Sequence, residues 1–314
     1  MNAIITILTQ SMFLAIMGIG VYITYKILDF PDMTADGSYT LGAAITASMV
    51  ASGAPALLAV LTSIVGGAIA GMVSGLLHVK LKITNLLSGI LVMGMLYSIN
   101  LRIMKGRANT PIFDSKHLLN SEIFSGVDPK VMTLVIALLV VMIVKLILDL
   151  FMKTGLGYLI RGTGDNEQMV KTLGINVSKI KVIALMISNS FIAFSGSMMC
   201  QFLGFADVNM GIGTLVLGIA SIIIGLSVFG SLKKVKDTTK IILGTIIYQF
   251  AVFFALNTGM QSSDLKLVTG LIIVVFISLS KKSVSDKVKG IFPKVSIKND
   301  SNLLNLKEDK NVSA

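Results

Sequence analysis

"RGTGDNEQMVKTLGIN", Arg161 to Asn176, is the most polar run of its length in the middle of a strongly apolar chain. Of the 314 residues, 54% are hydrophobic and only 14% are charged, where a soluble domain carries about 25% charged residues. With a mean hydropathy of +0.85, a soluble fold would have too little polar sequence to cover its surface. The chain therefore reads as a membrane protein. Helix is the economical spanning form, because each helix satisfies its own backbone polar groups where no water can. Connections between spanning helices are ordinarily short. The one containing this run, 153–181, has room for a helix of its own.

Outward from that loop, nine apolar segments are expected to span, at about 4–28, 33–53, 55–77, 85–101, 131–151, 182–203, 209–230, 239–258 and 265–280. The predicted fold class is all-α, a polytopic membrane protein of about nine transmembrane helices. Residues 1–280 form the transmembrane domain, and 281–314 form a basic tail read as disordered. Gly66, Gly67, Ala68, Ala70, Gly71 and Gly75 give the third segment the small residues that close helix packing needs. An N-terminus outside and a C-terminus inside places 20 of the 27 lysines and arginines on the cytoplasmic side and six outside, with Lys145 inside a span. That bias obeys the positive-inside rule, although the external loop 102–130 is itself basic. The N-terminal apolar run has no basic leader and is long enough to remain as a span. The implied location is a membrane that the chain crosses several times.

Several chemistries are excluded by residue type. Cys200 is the single cysteine, so no intrachain disulfide forms, and the two histidines, His78 and His117, are far apart in sequence. No HExxH, CxxC or carboxylate cluster offers a metal site. No Gly-Lys-Ser/Thr triplet ends a phosphate-binding loop, so any ATP used must be bound by another chain. The net charge of +11 lies at membrane flanks and in the tail, which fits the anionic inner leaflet rather than nucleic acid. Lys145 and Asp149, four apart in the fifth span, read as a neutralised pair on one helix face, with a proton relay as the other reading.

Two stretches repeat. "ADGSYTLG" (35–42) and "ADVNMGIG" (206–213) share Ala-Asp and a later Gly. "SMFLAIMG" (11–18) and "NSFIAFSG" (189–196), which precede them, share Phe, Ala and Gly at identical spacing. In the expected topology the first and sixth spans run in opposite directions, so the copies are inverted, as in many transporters. Asp36 and Asp207 fall at expected helix starts. There a carboxylate accepts from free first-turn N–H groups; alternatively it lines a pathway. Asp36, Ser38, Asp207 and Asn209 are the candidate pathway residues.

Within the loop, a short helix starts at Asp165 or Asn166, pairs Glu167 with Lys171, and stops at Gly174. Such a helix is marginal alone and needs a docking partner. The stretch "GYLIRGTGDNEQMVKTLGINVSKIKVIALMISNSFIAFSG" (157–196) resembles the cytoplasmic loop and following helix of permeases of ATP-binding cassette importers, in the branched-chain amino-acid/ribose permease family. Arg161, Gly164-Asp165-Asn166, Gly174-Ile175-Asn176 and Lys179 match in order. "ADGSYTLGA" and "GFADVNMGIGTLVLGIASIIIG" resemble tryptophan/tyrosine-type permeases of that family, and the absence of an extra N-terminal helix leans the same way.

The resemblance implies a two-permease, two-ATPase complex served by an external solute-binding lipoprotein. ATP and Mg belong to the ATPase chains, and no cofactor belongs to this one. It also implies that Arg161, Gly162, Gly164, Asp165, Asn166, Glu167, Lys171, Gly174, Ile175 and Asn176 form the coupling loop, with Gly162, Gly164 and Gly174 letting it turn sharply and sit close to its partner. The implied solute is a small molecule, with an aromatic amino acid preferred. The alternative is an ion-driven secondary transporter, which leaves the long loop unexplained. A "GTGD" intramembrane aspartyl protease needs two carboxylates sharing protons at membrane depth, whereas Asp165 lies in a polar loop with Arg161 and Glu167 and no membrane Asp is an evident partner.

Overall fold

The structure is a computed structural model, described over residues 2–113, 118–119, 128–232 and 234–257 and at five helical positions between 267 and 275. Among the described residues it is helical, apart from one short ribbon and the connecting turns. Helix α1 (Asn2–Tyr22) continues into a π-helical turn (Ile23–Ile27), and is followed by α2 (Thr34–Ala51), α3 (Ala56–Leu81) and α4 (Asn85–Ile103). Strand β1 (Asn109–Pro111) precedes α5 (Pro129–Phe151), α6 (Gly155–Asp165), α7 (Glu167–Thr172) and α8 (Val177–Leu203). Strand β2 (Phe205–Asp207), α9 (Thr214–Val228) and α10 (Asp237–Asn257) follow. β1 and β2 pair antiparallel, with Asn109 opposite Asp207 and Pro111 opposite Phe205. This ribbon marks one end of the molecule and α6–α7 the other.

Among the described residues, six helices are long and apolar enough to cross a membrane, fewer than the nine expected. The shortfall has physical causes. α9 has 15 residues, about 22 Å of helix against a hydrocarbon core of about 30 Å. α2, with 18 residues, is too polar to qualify, carrying Thr34, Asp36, Ser38, Thr40, Thr46 and Ser48. The segment 265–280 and the tail lie outside the described residues apart from those isolated positions.

α1 and α8 form the centre and pack antiparallel. Ser195 Oγ donates to the Phe13 carbonyl at 2.7 Å near the ribbon end, and Ser188 Oγ to the Gly20 carbonyl at 2.8 Å nearer the loop end. Each central helix then carries helices from the other half of the chain. α1 packs on α9 and α10, while α8 packs on α2 and α3. Small residues permit this closeness. A Cβ on Gly67 or Gly71 of α3 would overlap the carbonyls of Asn189 or Leu185, and one on Gly42 would overlap that of Ala193. Gly18 and Gly196, the ends of the two rhyming stretches, stand at such crossings: Gly18 on Ile241 of α10, Gly196 on the Tyr39 carbonyl of α2.

Candidate functional site

The loop folds as two helices rather than one. α6 covers Gly155–Asp165, and Thr154 caps it by accepting from Gly157 N–H at 3.3 Å. Asp165 ends α6 instead of opening a helix. Gly162 and Gly164 therefore lie inside α6, not in a turn. Their smallness serves packing: a Cβ on Gly164 would overlap the Ile27 carbonyl at the end of the π turn, and one on Gly162 would touch Val170. Asn166 caps α7 by accepting from Met169 N–H at 3.0 Å. Gly174, at φ +75°, stops α7 and donates to the Lys171 carbonyl at 3.0 Å. Asn176 caps α8 by accepting from Lys179 N–H at 3.2 Å. Each polar residue of "GDN" and "GIN" thus ends one helix or starts the next.

Glu167 holds this unit in place. Its carboxylate pairs with Lys171 on its own helix and with Lys181 on α8, both at 2.8 Å. The two lysines lower its pKa to about 2. α6 buries Gly157, Ile160 and Thr163 and α7 buries Val170, while Leu156, Tyr158, Met169 and Leu173 are exposed. Arg161, Asp165 and Lys171 are exposed beside them. Four large apolar side chains among exposed charges is the composition of a docking face. Behind that face, α6 touches the π turn of α1 and the start of α8, so the unit grips both central helices.

A second polar focus lies in the core. Asp36, in the first turn of α2, does not cap its own helix. It caps α9, accepting from Gly213 N–H at 2.9 Å, Leu215 N–H at 2.8 Å and the Thr214 hydroxyl at 3.1 Å. One carboxylate thereby complements the positive ends of two helices. Asp207 does not correspond to it in space. It lies in β2, seven residues before α9, and accepts from Asn209 N–H in a local turn at 2.8 Å. Asn209 is exposed. The two Ala-Asp stretches thus stand in different local structures, one in the first turn of α2 and the other in the strand before α9.

Ser38 is fully buried and donates to Asn189 Oδ1 at 2.7 Å. Asn189 Nδ2 donates in turn to Asp32 at 2.7 Å, and Asp32 also accepts from Thr34 N–H at 3.0 Å and Ser74 Oγ at 3.5 Å. Asn189 is twelve residues into the 27-residue α8, about 18 Å from its start, so α2 begins deep inside the bundle. Sequence reading missed Asp32, Ser74 and Asn189. The available signal was an Asn and an Asp inside or beside apolar segments, where unpaired polar groups are expensive. The Lys145–Asp149 pair is present at 3.4 Å, but Lys236 lies closer to Asp149, at 2.9 Å, and the Thr238 hydroxyl donates to it at 2.8 Å. These contacts tie α5 to the start of α10. Among the described residues, no cluster could hold a metal ion.

Comparison with known proteins agrees with this architecture. The family description "Branched-chain amino acid transport system / permease component" matches residues 3–278. The chain is 57% identical, over 96% of its length and 99% of the relative's, to a tyrosine transport system permease protein of Clostridioides difficile. It is 34% identical to an uncharacterized protein of Rickettsia prowazekii, over 89% of this chain and 98% of that one. It is 26% identical to a ribose import permease protein of Haemophilus influenzae, over 83% and 78% of the two chains. No solved structure matches. A helical bundle with two polar-headed inner helices, a capped helix pair at one end and a match along nearly its whole length together place the chain in the branched-chain amino-acid transport-system permease family, the membrane component of ATP-binding cassette importers.

Proposed function

We propose that the chain imports an aromatic amino acid, tyrosine being the foremost candidate, and that α6–α7 is the surface through which a separate ATPase drives it. The relative at 57% identity over almost the whole of both chains carries that name, which supports the solute. The observation that carries the coupling role is mechanical. One compact unit, framed by Gly155 and Gly174, presents apolar side chains outward while seating Gly164 on α1 and Glu167 on α8. Force applied to it reaches both central helices, and each of these carries helices from the opposite half. Closure of an ATPase dimer then shifts the permease between two states, provided ATP binds one assembly state better.

In the same reading, Arg161, Gly162, Gly164, Asp165, Asn166, Glu167, Lys171, Gly174, Ile175 and Asn176 form the coupling element, and Asp36 and Ser38 belong to the pathway wall. Asp207 and Asn209, at the ribbon end, belong to its external approach. The complex holds two copies of this chain, two ATPase chains and an external binding protein. The exchanged packing of α1 and α8 supports an inverted repeat, with 265–280 as the ninth span and the α6–α7 end cytoplasmic. The test is reconstitution. The purified chain alone is expected to show no ATP hydrolysis, while the four-chain complex hydrolyses ATP faster with tyrosine-loaded binding protein and accumulates tyrosine. Robust hydrolysis by the single chain, or no amino-acid uptake by the full complex, would overturn the proposal.

A further inference from the structure

Between α1, α2, α8, α9 and α10, in the ribbon-end half of the bundle, lies a cavity of about 620 Å³. That size is within the usual range for small-molecule sites, about 300–1,000 Å³. Its wall is mainly apolar, with Leu14, Met199 and Leu217 among its residues, and it is interrupted by Gln10, Tyr39 and Gln249. Tyr39 is 2% and Gln249 8% exposed. Among the described residues these three polar side chains form no hydrogen bond, whereas the buried Ser38, Ser188, Asn189 and Ser195 nearby all do. The two amides and the hydroxyl are therefore free to bond a molecule inside the cavity, since among the described residues no protein group competes for them.

We propose that this cavity is a solute site within each permease copy, taking a neutral zwitterion with an aromatic side chain. This deepens the import reading above and rests on it. The chemistry selects the class. The described wall carries no charged side chain, so an inorganic anion or a cation would find no counter-charge. A sugar would leave most of its hydroxyls against apolar wall. An aromatic amino acid places its ring on that wall and offers both donors and acceptors. Glutamine amides and a tyrosine hydroxyl each donate and accept, which suits an ammonium and a carboxylate together.

Location supports the same conclusion. The wall includes Gly213 and Thr214, the residues that Asp36 caps, so the start of α9 is held in shape without a solute. The loop-end half is tightly packed where α3 meets α8. There Asp32, Asn189, Ser38 and Ser74 saturate one another, and α3 glycines press directly on α8. α10 meets the cavity with Tyr248, Gln249 and Val252 instead.

The test uses the four-chain complex in detergent without binding protein, with tritiated L-tyrosine and L-phenylalanine measured by equilibrium dialysis. Saturable binding of one solute per permease copy is expected. Gln249→Leu should weaken it about fivefold, the loss of one hydrogen bond of about 1 kcal/mol, and Val252→Phe should abolish it by filling the space. Hydrolysis stimulated by loaded binding protein should persist in both variants, which shows that they fold and couple, while uptake by Val252→Phe falls at least tenfold. No saturable binding to a wild-type complex that does accumulate amino acid, or binding untouched by both variants, would overturn the site while leaving the import reading intact. A wild-type complex that accumulates no amino acid would overturn the import reading instead.

Discussion

Asp36 receives two backbone N–H groups and a hydroxyl, divided between its two oxygens. Asparagine keeps the size but has only one acceptor oxygen, so Asp36→Asn leaves either Gly213 or Leu215 without a partner. An unsatisfied part-buried N–H costs about 1–3 kcal/mol. Asp36→Asn should therefore lower the thermal midpoint of the purified permease and reduce uptake severalfold, whereas Asp207→Asn, which disturbs one local turn, should change neither by a comparable amount. Equal effects of the two substitutions in paired melting and uptake assays would contradict the assignment. Glu167 makes a pH prediction. Lys171 and Lys181 lower its pKa from the usual 4.5 to about 2. A lowered carboxylate pKa stabilises above the ordinary value and loses that contribution as pH falls towards the lowered one. The seat of α7 on α8 should therefore be unchanged from neutral pH to about 4.5 and loosen between there and about 2. Its carboxylate is 39% exposed, so each pair contributes only about 0.2–1 kcal/mol. Hydrogen exchange of the 167–172 amides, corrected for intrinsic rate, should report the loosening, and Glu167→Gln should show it already at pH 6.

The short helices are partly legible in the sequence. Gly174 as a stop, Asn166 as a start and the Glu167–Lys171 pair all follow from local chemistry, which is why the spacing reveals them. α6 was not legible. Its glycines read as a turn because sequence does not disclose that the Ile27 carbonyl stands where a Cβ would be. The cap on α9 escaped for the same reason, since it comes from a residue 177 positions away. Among substitutions in this unit, Gly174→Leu isolates coupling from folding. At φ +75° a leucine costs roughly 1–2 kcal/mol, yet nothing in the chain lies within 4 Å of its Cβ, so the added bulk meets only a docked partner. The permease should still insert and dimerise, while the ATPase binds more weakly or hydrolyses without solute stimulation, and uptake collapses. Normal uptake by Gly174→Leu, alone and with Glu167→Arg added, would leave the loop a solvated connection.

At the scale of the whole molecule, charge and packing agree on direction. The α6–α7 end gathers Lys26, Lys80, Lys82, Lys153, Arg161, Lys171, Lys179 and Lys181, and in the sequence count that side holds 20 of 27 basic residues against six opposite. Such an imbalance supports the proposed orientation, with that end cytoplasmic, by the positive-inside rule. The basic stretch from Arg102 to Arg107 works against it. It leads into β1, whose pairing with β2 joins the α4–α5 connection to the α8–α9 connection at one end, so both connections must lie on the same side. α10 begins at the loop end, where Tyr22 donates to Asp237 at 3.3 Å and Thr238 to Asp149. Its 21 residues give about 31 Å, enough to reach the opposite face. A chain that continues beyond it as a ninth span must then return. Reporter fusions after Gly259 should accordingly read as external and fusions after Lys282 as cytoplasmic. Both fusions on one side would remove the ninth span, and both signs reversed would place α6–α7 outside, beyond the reach of any ATPase.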